Sequence, residues 1–354
     1  MNIQLISESK LGSIDLNKVG FGSDFTDHMF FCDYENGTWK EPSITPYQPI
    51  QMSPASHVLH YGQSVFEGMK AYKNQEDEIF LFRPDKNFDR INKSAVRIAM
   101  PTIPEEIFFN GLYQLLDIER NWIPSKKGMS LYIRPVLFAN EEILVARASQ
   151  KYKFMIILSV AGSYYENPLR VIIADKYSRS AGGGVGFAKT AGNYAASFYP
   201  TNLAKENGFD QIIWTDPTHT KVEEAGTMNL FFRINNTLVT PPSSEKILDG
   251  VTRDSIIHLA KHKGIDLEVR DVYVQEIITA FKNNELKEVF GCGTAAVISE
   301  IKTIGFPDGQ EIEIPVISEE LSYAKTLKSE LIAIQTNQAA DPFGWRVKVE
   351  KTLI

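Results

Sequence analysis

The sequence contains very little cysteine. Only Cys32 and Cys292 occur among its 354 residues. Two cysteines are too few for a disulfide framework, and neither stands in the paired Cys/His spacing of a zinc site. We therefore predict that both thiols are buried as small hydrophobic groups and that the protein binds no metal ion.

A surplus of basic charge is also lacking. The chain has 37 Lys and Arg against 44 Asp and Glu, which gives a formal net charge of −7. Proteins that bind a nucleic-acid backbone present a basic surface, so this composition disfavours a nucleic-acid partner.

Long hydrophobic runs are missing as well. The longest, residues 154–162, is far shorter than the roughly 20 residues that cross a bilayer. Residues 1–10 are polar and lack the apolar core of a signal peptide. We expect no membrane partner and a location in the cytoplasm.

The chain does have enough apolar residues for two hydrophobic cores. Hydrophobic residues make up 43% of it, and its length corresponds to about two domains. Strand-like and helix-like segments are mixed without the regular alternation of a doubly wound sheet. We predict an α+β fold of two mixed α/β domains. A smaller α+β domain covers residues 1–162, a connection covers 163–176 and a larger domain covers 177–354.

Hydrophobic periodicity and turn residues predict the individual elements. Apolar or alternating runs predict strands over residues 29–34, 68–72, 78–82, 130–139, 153–161, 171–174, 211–215, 229–234, 237–240 and 288–291. Apolar residues every three or four positions predict helices from Pro84 onward and over 105–122, 194–205, 252–263, 274–282 and 318–336. Asn36 and Gly37 predict a tight hairpin turn after the first strand.

The most unusual segment is rich in glycine and precedes a lysine. Residues 182–186 contain four glycines, and Lys189 and Thr190 follow. A nucleotide-binding P-loop matches only in part, because Ala188 replaces the glycine before the lysine and the preceding strand ends too early. A dinucleotide fingerprint fails because Lys189 stands where its third glycine belongs. Taken alone, the segment is also compatible with a glycine hinge and a surface lysine.

Further motifs follow this lysine in a characteristic order. They are Gly-Asn-Tyr at 192–194, Glu-Ala-Gly-Thr-Met-Asn-Leu-Phe at 224–231 and Leu-Asp-Gly-Val-Thr-Arg at 248–253. Their order and spacing resemble the class IV, fold-type IV aminotransferases that depend on pyridoxal 5'-phosphate. The resemblance implies the D-amino acid aminotransferase-like architecture, with the cofactor bound by the larger domain.

Five other motifs resemble one branch of that family. They are His-Tyr-Gly at 60–62, Phe-Glu-Gly-Met-Lys at 66–70, Leu-Phe-Arg-Pro at 81–84, Tyr-Ile-Arg-Pro at 132–135 and Gly-Thr-Ala-Ala at 293–296. All five are similar to the branched-chain amino acid aminotransferases. The resemblance therefore implies reversible transamination of leucine, isoleucine or valine with 2-oxoglutarate, which gives branched-chain 2-oxo acids and glutamate.

The resemblance assigns the cofactor to named residues. Lys189 is the catalytic lysine, whose amine binds the cofactor aldehyde and later moves protons. Glu224 is the carboxylate beside the ring nitrogen, and Tyr194 hydrogen-bonds the ring hydroxyl. If residues 223 and 224 lie in a strand, their side chains point to opposite faces, so only one of them meets the ring.

The phosphate is expected at the start of a helix. Residues 250–253 open the apolar helix predicted there, and free backbone N–H groups favour an anion at such an end. The resemblance adds side chains to this N-terminus, and the full set of expected phosphate contacts is Arg83, Arg179, Val251, Thr252 and Thr294.

The substrate pocket is assigned by resemblance alone. Aromatic residues line the pocket. Arg134 orients these aromatic side chains and favours binding of the acidic co-substrate. Thr227 contacts the cofactor as well as the substrate near the reacting carbon, and Thr294 and Ala295 lend backbone donors to the substrate carboxylate. The aromatic residues are Tyr61, Phe66, Tyr132 and Tyr164.

The family also implies a homodimer with shared active sites. The loop around Leu144 and Ala146 crosses from the partner subunit over the apolar pocket. Ala146 is small where other members carry a larger residue, and Ala296 and Ser299 replace a Cys-x-x-Cys pair that some animal members have. The alternatives are a D-amino acid aminotransferase or aminodeoxychorismate lyase of the same fold, a P-loop nucleotide-binding module, and a noncatalytic binding protein.

Overall fold

The computed structural model describes residues 1–15, 19–126, 128–162 and 167–352. The chain divides into two compact units. The N-terminal unit comprises Met1–Tyr164, Ala188–Gly192 and Ala333–Ile354, and the C-terminal unit comprises Tyr165–Phe187 and Asn193–Ile332. Helices and a largely antiparallel sheet occur together in each unit, which confirms the predicted α+β class.

The N-terminal unit is built on a sheet whose main path has the order β1-β5-β3-β10-β9-β7-β8-β21, with β2, β4 and β6 paired to its side. Its strands are β1 (Asn2–Ile3), β2 (Phe21–Phe25), β3 (His28–Glu35), β4 (Thr38–Trp39), β5 (Ser43–Pro46), β6 (Ser64–Phe66), β7 (Met69–Lys73), β8 (Ile79–Phe82), β9 (Ser130–Ala139), β10 (Tyr152–Ala161) and β21 (Arg346–Val349). Asn36 and Gly37 have φ values of 54° and 78°, which confirms the predicted hairpin turn after β3.

Three α-helices pack with this sheet: α1 (His57–Tyr61), α2 (Pro84–Arg97) and α3 (Glu105–Ile118). The predicted helix over 105–122 is wrong in its last turn, because Arg120–Trp122 forms a separate 3-10 helix. Trp122 is buried there and donates from its indole nitrogen to Asp27 at 2.7 Å. This bond gives the polar end of the buried ring a partner.

The C-terminal segment belongs to the N-terminal unit because it supplies the last strand of that sheet. β21 pairs antiparallel with β8, with Arg346 opposite Phe82 and Val349 opposite Ile79. Ala188–Gly192 also contacts this unit, through the bridge between Val65 and Thr190. The prediction had placed both segments in the domain over 177–354, since nonlocal strand pairing leaves no mark in local periodicity.

The C-terminal unit has its own sheet, with the main order β16-β15-β14-β18-β19-β11-β12-β13-β17 and β20 paired to β19. Its strands are β11 (Leu169–Ile173), β12 (Gln211–Thr215), β13 (Lys221–Ala225), β14 (Met228–Ile234), β15 (Thr237–Thr240), β16 (Leu267–Val269), β17 (Val272–Tyr273), β18 (Leu286–Gly293), β19 (Val297–Gly305) and β20 (Glu311–Glu313). β11 confirms the strand predicted over 171–174 and begins two residues earlier, inside the predicted connection 163–176. Its residues Leu169, Val171 and Ile173 alternate into the core. The boundary itself stays a prediction, since residues 163–166 lie outside the described residues.

Four further α-helices follow: α4 (Ala191–Glu206), α5 (Val251–His262), α6 (Val274–Lys282) and α7 (Tyr323–Gln335). The predicted helix over 318–336 starts late, because Glu319–Leu321 is a 3-10 helix and α7 begins after it. Cys32 and Cys292 are both buried and unpaired, as predicted, and burial raises the pKa of Cys32 to about 11. In the described part of the chain, no helix has the length and apolar character to cross a membrane.

A buried ion pair joins the loop after β6 to helix α2. Glu67 is fully buried and accepts from Arg90 Nε at 2.6 Å, from a terminal guanidinium nitrogen at 2.8 Å, and from Asn87 at 2.7 Å. Burial alone would raise the pKa of Glu67, but the charge and hydrogen bonds of Arg90, with the charge of Lys189, hold it below its ordinary value of 4.5. The pair therefore depends on both charged partners being present.

We predict that Glu67→Gln lowers the free energy of unfolding by about 3–5 kcal/mol at neutral pH, because Arg90 is left buried without its charge partner. The folded-state pKa of Glu67 is depressed, so its contribution is complete at neutral pH and is lost as the pH falls below 4.5 through the lower folded value. Denaturant unfolding at several pH values measures this difference.

The control is Glu78→Gln, which removes a surface ion pair with Lys348 in the same sheet and should cost far less. The double variant Glu67→Gln/Arg90→Met should recover part of the loss. Equal unfolding free energies for wild type and Glu67→Gln at neutral pH would contradict this account.

Candidate active site

A cleft in the C-terminal unit collects side chains from several elements. It is lined by Arg179, Asn193, Tyr194, Ser197, Glu224, Gly226, Thr227 and Leu248. Four of these, Arg179, Tyr194, Glu224 and Thr227, are residues that the sequence predicts for the cofactor. The first turns of α4 present Asn193, Tyr194 and Ser197, and the hairpin between β13 and β14 presents Glu224 to Thr227.

Glu224 is the buried acid of this cleft. Its Oε1 accepts from the Leu248 backbone N–H at 2.8 Å and from Asn229 Nδ2 at 3.3 Å, and its Oε2 lies 3.0 Å from Arg179 Nε. The adjacent Glu223 pairs instead with Lys246 Nζ at 2.7 Å, and burial raises the pKa of Glu223. The two acids therefore have different partners, as the alternation of side chains along β13 requires.

The glycine-rich segment is fixed against residues 245–248. Gly183 N–H donates to the Glu245 carboxylate at 2.9 Å, and Phe187 N–H donates to the Glu245 carbonyl at 3.0 Å. A Cβ at Gly186 would lie 2.4 Å from the Lys246 carbonyl oxygen, so only glycine permits this approach. A carboxylate side chain thus holds the loop N–H at Gly183, which argues against a nucleotide P-loop there.

Helix α5 begins where the sequence places the phosphate. Gly250 is its N-cap residue, and this glycine has no side chain that could cap the first turn. A Cβ at Gly250 would lie 1.9 Å from Asn229 Oδ1, so the close packing of Asn229 requires glycine. Thr252 is buried and Val251 is half-buried in the first turn, whose N–H groups favour an anion.

The turn between β18 and β19 carries Thr294 and Ala295, both half-buried. Val297, which ends this turn, has a φ of 58°. That conformation is strained for a β-branched residue and costs about 1–3 kcal/mol. Backbone strain of this kind is typical of functional turns.

Lys189 is anchored to the N-terminal unit by its backbone. Its N–H donates to Ser94 Oγ of α2 at 2.9 Å, and its carbonyl accepts from the Phe66 N–H at 3.1 Å. Its Nζ lies 5.0 Å from the centre of the Phe66 ring. The sequence did not point to Ser94, because a single serine on a helix gives no signal before its partner is known.

Three predicted substrate residues lie together beside this lysine. The Arg134 guanidinium lies 4.5 Å from the centre of the Phe66 ring and donates to the Tyr132 hydroxyl at 3.0 Å. Arg134 Nε is buried and has no hydrogen-bond partner among the described residues. A Cβ at Gly68 would lie 2.1 Å from Tyr132 Oη, which explains the glycine of this motif.

The predicted covering loop lies elsewhere on the N-terminal unit. Tyr61, at the end of α1, donates from its hydroxyl to the Leu144 carbonyl at 2.6 Å. Leu144 is 62% exposed, and Ala146 is also exposed. The structure does not bring this loop to Phe66, and Tyr164 lies outside the described residues.

Arg83 has a partner that the sequence did not predict. It is buried, precedes α2 in a left-handed conformation with a φ of 49°, and donates its N–H to the Trp345 carbonyl at 2.8 Å. Its guanidinium lies 5.0 Å from the centre of a Trp345 ring, which stacks on Phe343 at 4.1 Å. The aromatic pair near the C-terminus was the only sequence signal for this contact.

Comparison with known proteins agrees with this arrangement. Residues 64–304 match the family described as Amino-transferase class IV. The chain is 44% identical over 356 residues to branched-chain-amino-acid aminotransferase 2 of Bacillus subtilis (strain 168), covering 97% of this chain and 96% of that protein. It is 47% identical over 343 residues to a probable branched-chain-amino-acid aminotransferase of Staphylococcus epidermidis, covering 95% of each.

A solved structure has the same fold. The branched-chain amino acid aminotransferase from Thermobaculum terrenum, crystallised in its PLP-form, superimposes with a TM-score of 0.72 over 93% of this chain and all of that chain, at 21% identity. The family match covers more than half of the sequence, and the curated relatives cover almost all of it. The chain therefore belongs to the class IV aminotransferases, within the group of branched-chain amino acid aminotransferases.

Proposed function

We propose that the protein transfers the α-amino group reversibly between leucine, isoleucine or valine and 2-oxoglutarate, with pyridoxal 5'-phosphate as its cofactor. The observation that carries this proposal is the cluster around Phe66. An amine, an apolar ring and a guanidinium meet there, since Lys189 Nζ and Arg134 both lie within 5.0 Å of the ring centre. The relatives' names and the PLP-form of the Thermobaculum protein support the same assignment.

The polar groups of the C-terminal unit fit this cofactor. The buried carboxylate of Glu224 suits a ring nitrogen that carries a proton, and the phenol of Tyr194 suits a ring hydroxyl. The N-terminus of α5, at Val251 and Thr252, suits a phosphate group. We assign Arg83 and Thr294 to the phosphate as well, on the family resemblance.

When bound, pyridoxal phosphate supplies a cationic conjugated ring that withdraws electrons from the α-carbon of the amino acid. Lys189 Nζ is the base that takes the proton from that carbon. Because its backbone N–H and carbonyl are both held, the movement needed for this transfer is confined to its side chain. The negative charge of Glu224 favours the protonated ring nitrogen.

The substrate residues divide between apolar and polar tasks. Phe66, Tyr132 and Tyr61 provide aromatic surface for an aliphatic side chain, and we assign Tyr164, Thr227 and Ala295 to the same substrate. Arg134 has a buried N–H without a partner in the described part of the chain, and such a donor suits the second carboxylate of 2-oxoglutarate or glutamate.

We further propose a homodimer that works in the cytoplasm. Leu59, Leu144 and Val145 are each more than half exposed, and such an apolar group is typical of an interface. The two buried free thiols suit a reducing compartment. We also propose the two-domain division expected from the sequence, with a smaller domain over residues 1–162, a connection over 163–176 and the cofactor bound by the larger domain over 177–354.

We predict that Lys189→Ala lowers leucine transamination by at least about a thousandfold, because the base and covalent anchor are both removed. The variant should still bind the cofactor without a covalent bond. Turnover with leucine and 2-oxoglutarate, together with cofactor titration of the purified protein, checks both parts.

Lys205→Ala is the matched control and should keep wild-type turnover, because Lys205 is exposed near the end of α4, the helix that follows Lys189. Normal repeated turnover by Lys189→Ala would overturn the proposed function.

We predict that Trp345→Leu weakens binding of inorganic phosphate to the cofactor-free protein by about three- to tenfold, because the Arg83 guanidinium loses its aromatic support. Isothermal titration measures this affinity. Trp345→Phe keeps a ring and should lose less. In an Arg83→Ala background the Trp345→Leu change should have no further effect, and an equal effect in both backgrounds would contradict the coupling.

We predict that Leu144→Arg lowers leucine turnover by at least about tenfold while cofactor retention is kept, because a charge replaces apolar cover. Val316→Arg, at a fully exposed apolar residue outside this loop, is the control. Mixing Leu144→Arg with Lys189→Ala subunits should restore activity, since one site in each mixed dimer combines the intact lysine with an intact loop. Mixed dimers without recovered activity would show that the site is not shared.

A further inference from the structure

All three guanidinium nitrogens of Arg179 contact oxygen atoms of the protein. Its Nε lies 3.0 Å from Glu224 Oε2, and its two terminal nitrogens donate to the carbonyls of Lys246 at 2.9 Å and Gly186 at 3.0 Å. Both side chains of the ion pair are more than nine-tenths buried. The guanidinium therefore connects β13, the glycine-rich segment and the loop before α5.

The contacts of Glu224 determine how the carboxylate is oriented. Oε1 already accepts from the Leu248 N–H and from Asn229. A carboxylate oxygen accepts about two hydrogen bonds. Any further donor reaching the group from the cleft must therefore meet Oε2, the oxygen whose position Arg179 fixes.

The charge of Glu224 depends on the same contact. Removing a carboxylate from water favours its neutral form unless a cation lies beside it. Arg253 and Cys292 are two other ionisable groups that interact electrostatically with Glu224. The Arg253 guanidinium donates instead to Thr240, Ser243 and Pro241, and burial raises the pKa of Cys292, which keeps that thiol neutral.

We propose that Arg179 is a positioning residue that acts on the reaction through Glu224, by keeping this carboxylate ionised and its Oε2 directed into the cleft, and that it is not a phosphate contact. This inference rests on the proposed function, in which Glu224 faces the ring nitrogen. A neutral or displaced Glu224 cannot favour a protonated ring nitrogen, so the electron-withdrawing power of the site depends on Arg179.

The first test uses the cofactor-free protein. At neutral pH, the infrared difference spectrum between Arg179→Met and wild type should show a new band from a protonated carboxyl group. The difference spectrum between Arg179→Met/Glu224→Gln and Glu224→Gln should lack this band. Arg179→Lys keeps the charge and should show no band. The control is Lys246→Met, which removes the partner of Glu223 and leaves the Lys246 carbonyl in place, so any band it gives should persist when Glu224→Gln is added.

The second test separates the two roles of Arg179. Binding of inorganic phosphate to the cofactor-free Arg179→Met protein should stay within about twofold of wild type, whereas loss of a direct charge-assisted contact would weaken it by tenfold or more. A tenfold loss, or the absence of the carboxyl band, overturns the inference.

In the holoenzyme, Arg179→Met should lower kcat for leucine at least about tenfold with a much smaller change in KM, and Arg179→Lys should recover part of it. If Arg179→Met does not fold, folding of the double variant with Glu224→Gln supports the coupling, and failure of both overturns it. Wild-type turnover by Arg179→Met overturns this inference alone, whereas normal turnover by Lys189→Ala overturns the proposed function.

Discussion

The position of Lys189 depends on two hydrogen bonds of its backbone. The N–H is held by Ser94 and the carbonyl by Phe66, although the chain on both sides belongs to the C-terminal unit. In the proposed reaction the Lys189 amine must return to the same place after every proton transfer, and fixing its backbone confines the movement to the flexible side chain. Ser94 itself is held because its hydroxyl donates to the Arg90 carbonyl, and Arg90 is held by Glu67.

Three buried acids are each paired with a basic side chain. Glu67 has Arg90, Glu224 has Arg179, and Glu223 has Lys246. Each pair lies beside a residue assigned to the reaction and replaces water as the partner of a charge. Arg83, which is assigned to the phosphate, and Val297, which ends the turn that carries Thr294 and Ala295, both have a positive φ. The hydrophobic cores of the two sheets offset the free-energy cost of the buried charges and of the strained backbone.

Much of the fold and site follows from local sequence. The periodicity of residues 84–97 and 274–282 predicts α2 and α6, and Asn36-Gly37 predicts its turn, because each pattern acts within a few residues. The different partners of Glu223 and Glu224 follow from strand alternation alone. The motifs predict Lys189, Tyr194 and Glu224 for the cofactor, and the structure places Tyr194 and Glu224 in one cleft.

What the sequence did not reveal depends on distant backbone atoms. Arg179 meets the carbonyl of Lys246, 67 positions away, and any residue type could supply that carbonyl. The family resemblance therefore predicts an arginine near the phosphate at position 179 but does not indicate the carbonyl that Arg179 contacts. Trp345 and Ser94 were missed for a similar reason, since β21 and α2 approach their partners only through tertiary pairing. The strand over 171–174 is predicted from its apolar residues, but the polar residues before it hide that β11 already begins at Leu169.

The pairing of β21 with β8 also determines the order in which the protein is completed during synthesis. A ribosome releases the chain from its N-terminus, and domains commonly fold as they emerge. Here the N-terminal unit lacks β21, and Arg83 lacks Trp345, until residues 345–349 have been translated. The C-terminal unit, interrupted only by Ala188–Gly192 and ending at Ile332, has all its strands earlier. The N-terminal unit is thus completed after the C-terminal unit has all its strands, and the nascent chain carries an unpaired β8 edge while residues 83–345 are made.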